Sequence, residues 1–250
     1  GRAYGAPSIN SGGNLFVSTE EKDKVYYING NTGEVIWQNE LSGKAARSPA
    51  IDADGNIWVG TRDNQLHKIN GGNGGVIFSI DCLVGSSPVI GVDGKVYVAQ
   101  DRLMSSVDPE NGDIEWEYNV KENQTLSGGR TIGSDNTIYF GTTGGDNSSF
   151  YAVNTESGEK LWEYSGIDAV HGSSALSESG IIYFGDGNGY LYAVKAATGP
   201  AKSAWPMEAQ NAQRTGRAYD SDNDSLPDYK ERQLGTNPDS NDSDSDGVLD

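Results

Sequence analysis

One stretch constrains the chain more than any other. Ser48 to Thr61, SPAIDADGNIWVGT, returns in altered spelling as APSINSGGNLFVST from Ala6, SPVIGVDGKVYVAQ from Ser87, GRTIGSDNTIYFGT from Gly129 and SALSESGIIYFGD from Ser174. Each copy holds two apolar anchors at a fixed separation: Ile9 and Leu15, Ile51 and Ile57, Ile90 and Val96, Ile132 and Ile138, Leu176 and Ile182. Between the anchors lie Gly12-Gly13, Asp54-Gly55, Asp93-Gly94, Asp135-Asn136 and Ser179-Gly180. Residues that accept a positive φ, set between short apolar runs, read as β-hairpins. A third apolar run follows each hairpin, then a glycine turn, then a fourth run carrying Trp37, Phe78, Trp116, Trp162 or Trp205. Four strands per unit of about 40 residues is the pattern of β-propeller blades. The expected fold is therefore all-β, with five four-stranded antiparallel blades: about Tyr4 to Leu41, Arg47 to Ile80, Ser86 to Val120, Gly129 to Tyr164 and Ser173 to Trp205.

The spelling of the third turn resembles a known family. AVNTESGEKLWEY from Ala152, with INGNTGEVIWQ and VDPENGDIEWE, is similar to the repeat of the pyrroloquinoline-quinone-type propellers. That family includes quinoprotein alcohol dehydrogenases and outer-membrane assembly lipoproteins. A glycine stands four residues before Trp37, Trp116 and Trp162. The expectation is that the turn reverses the chain and the indole then packs between neighbouring blades. Because the resemblance is to a structural repeat, it carries fold better than function. Its members usually have more blades, so two readings stand: a five-bladed ring, or part of a larger one, which the abrupt start of Gly1 at an inner strand favours.

Charge separates the last part of the chain from the rest. The formal net charge is −18, and between Asp220 and Asp250 there are ten acidic and two basic residues. An acidic chain without a basic stripe is repelled by phosphate backbones, which disfavours nucleic-acid partners. The residues suggest a cation instead. In DSDNDSLPDYKE, Asp220, Asp222 and Asp224 hold positions one, three and five of a calcium loop, Leu226 the carbonyl position, Asp228 the ninth and Glu231 the twelfth. Ser225 stands where glycine is usual. The spacing recurs with Asp242, Asp244, Asp246, Val248 and Asp250. The whole tail resembles bacterial thrombospondin type 3 repeats, calcium-binding spacers of exported proteins. Pro227 and Pro238 are expected to leave little room for helices flanking the loops. Two domains result: a propeller over residues 1–216 and a truncated calcium-binding tail over 217–250.

Weaker candidates lie at the propeller mouth. Arg2, Arg47, Arg130 and His171 fall near the starts of innermost strands, where they would ring the channel and could hold an anionic group. His67 lies within a third strand and reads as structural. Cys82 is the only cysteine and reads as a small buried hydrophobe. The quinone-dependent enzymes of the resembled family carry adjacent cysteines that form a strained disulfide, a pair that one cysteine cannot supply. The functional expectation is a non-enzymatic exported or cell-surface protein, its propeller recognising protein or polysaccharide and its tail a calcium-stiffened spacer. The alternative is a periplasmic scaffold for outer-membrane assembly, and behind it a quinone-dependent dehydrogenase.

Overall fold

The computed structural model describes residues 5–19, 23–45, 47–82, 84–144, 147–207, 222, 226 and 228–241. The first sheet comprises β1 (Ser8–Ile9), β2 (Leu15–Thr19), β3 (Lys24–Ile28) and β4 (Val35–Glu40). The second comprises β5 (Ala50–Ile51), β6 (Ile57–Thr61), β7 (Gln65–Ile69) and β8 (Val76–Asp81). The third comprises β9 (Val89–Ile90), β10 (Val96–Gln100), β11 (Leu103–Val107) and β12 (Ile114–Asn119). The fourth comprises β13 (Thr125–Gly133), β14 (Thr137–Thr143), β15 (Ser148–Asn154) and β16 (Lys160–Ile167). The fifth has, among the described residues, three strands, β17 (Ala175–Leu176), β18 (Ile181–Gly185) and β19 (Leu191–Lys195). Each sheet is an antiparallel meander in sequence order.

The hairpin reading holds in register as well as in type. All five anchor pairs are direct cross-strand partners: Ile9 with Leu15, Ile51 with Ile57, Ile90 with Val96, Ile132 with Ile138 and Leu176 with Ile182. The second turn residue has positive φ in every hairpin, at Gly13, Gly55, Gly94, Asn136 and Gly180. The turn between the third and fourth strands is also repeated. The side chains of Asn29, Asn70, Asp108 and Asn154 accept backbone N–H groups two and three residues on, and Gly33, Gly74, Gly112 and Gly158 complete the reversal at φ between 72° and 81°.

These turns are where the blades meet. Trp37 lies over Gly74 and donates its indole N–H to the Gly71 carbonyl at 2.9 Å. Trp116 lies over Gly158 and donates to the Thr155 carbonyl at 2.8 Å, while Phe78 covers Gly112. The fourth-strand aromatic of one blade thus caps the turn of the next. Further in, the sheets share apolar clusters: one across sheets one to three around Trp58 and Ile90, one across three and four around Tyr97 and Phe140, one across four and five around Phe150 and Phe184. No cluster of the described residues joins sheet five to sheet one. Each sheet thus shares buried apolar residues with the sheet that follows it in the chain.

Among the described residues blade five has no fourth strand, and the run to Trp205 does not form one, which corrects the reading of Trp205. In the other four blades the turn glycine stands four residues before the aromatic, but Gly199 stands six before Trp205 and is followed by Pro200. Gly199 does not take the positive φ of its counterparts. Instead, the chain turns inward between innermost strands β9 and β13. The Ser134 N–H donates to Gly199, Ala201 donates to Ile132, and Ile90 and Ile132 donate to the carbonyls of Trp205 and Pro206, all at 2.7 to 2.9 Å. Ser203 Oγ donates to the Ile90 carbonyl at 2.6 Å. Trp205 is 1% exposed and packs in the cluster of sheets one to three. Pro206 is likewise buried.

In the tail, α1 (Asp228–Leu234) follows Pro227 directly. A proline before a helix removes no intrahelical hydrogen bond, so the expected bar to a helix does not operate on this side of the loop. Gly235 ends α1 at φ 85°, with its N–H and that of Thr236 donating to the Glu231 carbonyl. Lys230 reaches Asp54, in the blade-two hairpin, at 3.3 Å.

Candidate functional site

Where innermost strands begin, short segments rich in glycine and serine converge on one cavity of about 630 Å³. Its walls come from Arg47 ahead of β5, Gly85-Ser86-Ser87 ahead of β9, Gln100-Asp101 after β10, Thr125 to Gly128 and Arg130 in β13, and His171-Gly172-Ser173 ahead of β17. Three of the four mouth residues picked from sequence, Arg47, Arg130 and His171, thus share one cavity; Arg2 lies outside the described residues.

Local backbone chemistry holds these walls close. A side chain at Gly128, whose φ is +68°, would begin 2.2 Å from the Gly172 carbonyl, so only glycine lets β13 and the His171 segment touch. Arg130 is buried and donates to the Gly128 carbonyl at 3.1 Å, which fixes its guanidinium beneath that contact. Arg47 is exposed and its Nε donates to the Gly85 carbonyl at 3.4 Å. The Ser86 hydroxyl donates to the Ala99 carbonyl at 3.0 Å. Ser87 differs from its neighbour. It is 5% exposed, and its Oγ has no hydrogen-bond partner among the described residues. A buried hydroxyl without a partner costs on the order of 1–3 kcal/mol, and a polar ligand in the cavity would recover that.

The lining contains two guanidinium groups and an imidazole against one carboxylate, Asp101, and it contains no Phe, Tyr or Trp. Such a surface can bind an anion by charge and hydrogen bonds, and it lacks the broad face of a Trp, Tyr or Phe on which a sugar commonly stacks. The sequence reading did not single out Ser87, Gln100, Asp101, Thr125 or Ser127. Their signal was the repeated small polar spelling just before an innermost strand, GSSPV, SGGRT and HGSSA.

Two other candidates are structural. His67 is buried in β7 between Ser79 at 2.7 Å and Thr61 and Ser42 at 3.3 Å, and burial holds its imidazole below the usual range. Cys82 is buried, and burial pushes its thiol up to about 11, far from a reactive thiolate.

Of the calcium-loop residues, Asp222, Leu226, Asp228 and Glu231 are described; Asp220, Asp224, Asp242, Asp244, Asp246, Val248 and Asp250 lie outside the described residues. Asp228 and Glu231 occupy the first turn of α1, three apart and so on one face. They are 5% and 0% exposed. Among the described residues no group of three or more His, Cys, Asp or Glu side chains is placed to hold a metal ion.

Comparison with known proteins extends the picture. Residues 21–212 match the family described as outer membrane protein assembly factor BamB. No curated protein matches. Among solved structures, BamB from Moraxella catarrhalis is 17% identical with a TM-score of 0.50, covering 80% of this chain and 76% of its own. Quinohemoprotein alcohol dehydrogenase from Comamonas testosteroni is 17% identical with a TM-score of 0.64 over 82% of this chain. The related enzyme ADHIIG from Pseudomonas putida HK5 is 20% identical with a TM-score of 0.64 over 86%. This chain spans 43% and 44% of those two enzymes, and at such identities the likeness shows the fold. With its blade repeat and the match over residues 21–212, the chain belongs to the BamB family of propellers.

Proposed function

We propose that the chain is a non-catalytic recognition module whose propeller mouth captures an acidic segment of a protein. The observation that carries this reading is the convergence of Arg47, Arg130 and His171 with the unpartnered Ser87 hydroxyl on one polar cavity. The net charge of −18 does not oppose it. At physiological salt, charges beyond about 8 Å are screened, so the groups lining the cavity decide what binds. A lining with cationic groups and no Trp, Tyr or Phe favours a carboxylate-bearing peptide over the polysaccharide partner also considered from sequence. The family's name places its members' work at the outer membrane, and the tail's likeness to repeats of exported proteins points the same way; we place this chain in the bacterial envelope or at the cell surface, outside the cytoplasm.

A tetra-aspartate peptide serves as the probe, titrated calorimetrically. Arg47→Glu and His171→Glu, both at exposed positions, are expected to weaken uptake at least about tenfold each, or 1.4 kcal/mol. Equal affinity in wild type and both variants would remove the mouth from the account.

The tail is proposed to bind calcium through Asp220, Asp222, Asp224, Leu226, Asp228 and Glu231, with Asp242, Asp244, Asp246, Val248 and Asp250 beginning a second loop. Uptake in the range of extracellular modules, about 10⁻⁴ to 10⁻³ M, is expected, with Glu231→Gln weakening it roughly tenfold. Limited proteolysis should then cleave after residue 207 faster in chelator than in calcium. Identical cleavage in both would count against a calcium role.

A further inference from the structure

In blade two a surface hydroxyl is held against a buried imidazole. Ser79 of β8 is the direct cross-strand partner of His67 of β7. Ser79 is exposed, whereas His67 is 3% exposed. Ser79 Oγ lies 2.7 Å from His67 Nδ1, and the hydroxyls of Thr61 and Ser42 each lie 3.3 Å from Nε2. What stands behind those two hydroxyls decides which ring nitrogen carries the proton. Thr61 Oγ1 donates to the Gln65 carbonyl at 3.1 Å. Asp63, exposed in the turn between β6 and β7, has its carboxyl held below the usual range by the hydroxyls of Thr61 and Ser42. A carbonyl and a carboxylate accept and cannot donate, so both hydroxyls direct their hydrogens there and meet the imidazole with a lone pair. Nε2 therefore carries the ring proton, and Nδ1 accepts from the Ser79 O–H.

We propose that Ser79 is an activated nucleophile and a site of acyl modification, taking one acyl group from an ester that carries a good leaving group. The bond from Ser79 Oγ to the acyl carbon forms as the ester C–O bond breaks. The Ser79 proton passes to His67 Nδ1 and from there to the departing oxygen. A base within hydrogen-bond reach of the hydroxyl, itself oriented by further groups, is the arrangement that activates a serine. Burial holds the His67 imidazole below its usual range, so at neutral pH its Nδ1 lone pair is free to take the proton, while the Asp63 carboxylate favours the imidazolium that forms in passing. His67 thus polarises Ser79 in addition to tying β7 to β8. The mouth cavity is not involved, since its lining includes none of Ser42, Thr61, Asp63, His67 or Ser79.

The test treats the whole chain with p-nitrophenyl acetate at neutral pH and locates acetyl groups by peptide mass spectrometry. Ser157, an exposed serine whose hydroxyl donates to the Asn154 side chain, serves as the internal reference. Ser79 is expected to be acetylated roughly a hundredfold faster than Ser157, the low end of what a positioned general base supplies. His67→Gln should remove that excess. If that variant melts early, Asp63→Asn, at an exposed position, gives the same test and should slow Ser79 at least about tenfold while Ser157 is unchanged. The proton assignment is read separately from the ¹⁵N spectrum of the imidazoles. The chain has two histidines, so His171→Gln leaves the signals of His67 alone, and these should show the proton on Nε2 and the lone pair on Nδ1. Acetylation of Ser79 at the rate of Ser157, a rate unmoved in both variants, or a proton on Nδ1 would overturn the proposal.

Discussion

Replacing Trp205 with alanine is expected to destabilise the propeller by about 3–5 kcal/mol, the range for deleting a large buried aromatic. In a chain of this size that corresponds to a fall of roughly 6–20 °C in melting temperature. The ring packs with residues of sheets one to three, while the backbone on either side is bonded to β9 and β13. The substitution thus opens a cavity at a point where three blades and the returning chain meet. Trp37, half-buried at the outer rim, gives the comparison: Trp37→Ala removes less buried surface and should cost less. Chemical denaturation of both variants checks the order. Equal costs would return Trp205 to the outer-strand role that its position in the repeat suggests.

The second large effect is expected at a glycine. Gly158→Ala places a side chain at φ 72°, and its Cβ would start 2.8 Å from the Trp116 ring. The left-handed conformation costs about 1–2 kcal/mol for a non-glycine residue. Crowding a packed contact adds about 1–3 kcal/mol, for a total of roughly 2–5. Gly33 holds the same turn position in blade one at φ 74°, but nothing among the described residues lies within 4 Å of the added Cβ. Gly33→Ala should therefore show the backbone cost alone, about 1–2 kcal/mol. In a Trp116→Ala background the excess at Gly158 should vanish, since the two changes act on one contact. If Gly158→Ala costs no more than Gly33→Ala, the indole does not bear on the turn as described.

The blade architecture was legible because its determinants are local. A hairpin needs two apolar anchors at a fixed separation and a turn residue tolerant of positive φ, and both can be read within one short window. That is why the five anchor pairs prove to be direct partners. Trp205 was misread because the repeat was followed by its aromatic and not by its spacing. The two extra residues after Gly199, and Pro200 in particular, were the local warning, but their destination between β9 and β13 depends on contacts with residues 65 to 115 positions earlier, which no local pattern encodes. α1 was missed for a similar reason: Pro227 was counted as a breaker without regard to which side of it the helix would start.

The mouth was half legible. Arg47, Arg130 and His171 announce themselves by charge at strand starts, whereas Ser87, Thr125 and Ser127 are ordinary residues that matter only because Gly128 lets two blades approach within contact distance. The hydroxyl of Ser86 is satisfied by Ala99 and that of Ser87 is not, a distinction that exists only in three dimensions.

The most direct test of the recognition account is amide hydrogen exchange of the whole chain with and without saturating tetra-aspartate. The account predicts slower exchange confined to the segments around Gly85 to Ser87, Thr125 to Arg130 and His171 to Ser173. Protection confined to the hairpins at the opposite ends of the innermost strands, such as Asp52 to Asn56 and Ser177 to Ile181, with the mouth segments unchanged, would contradict it.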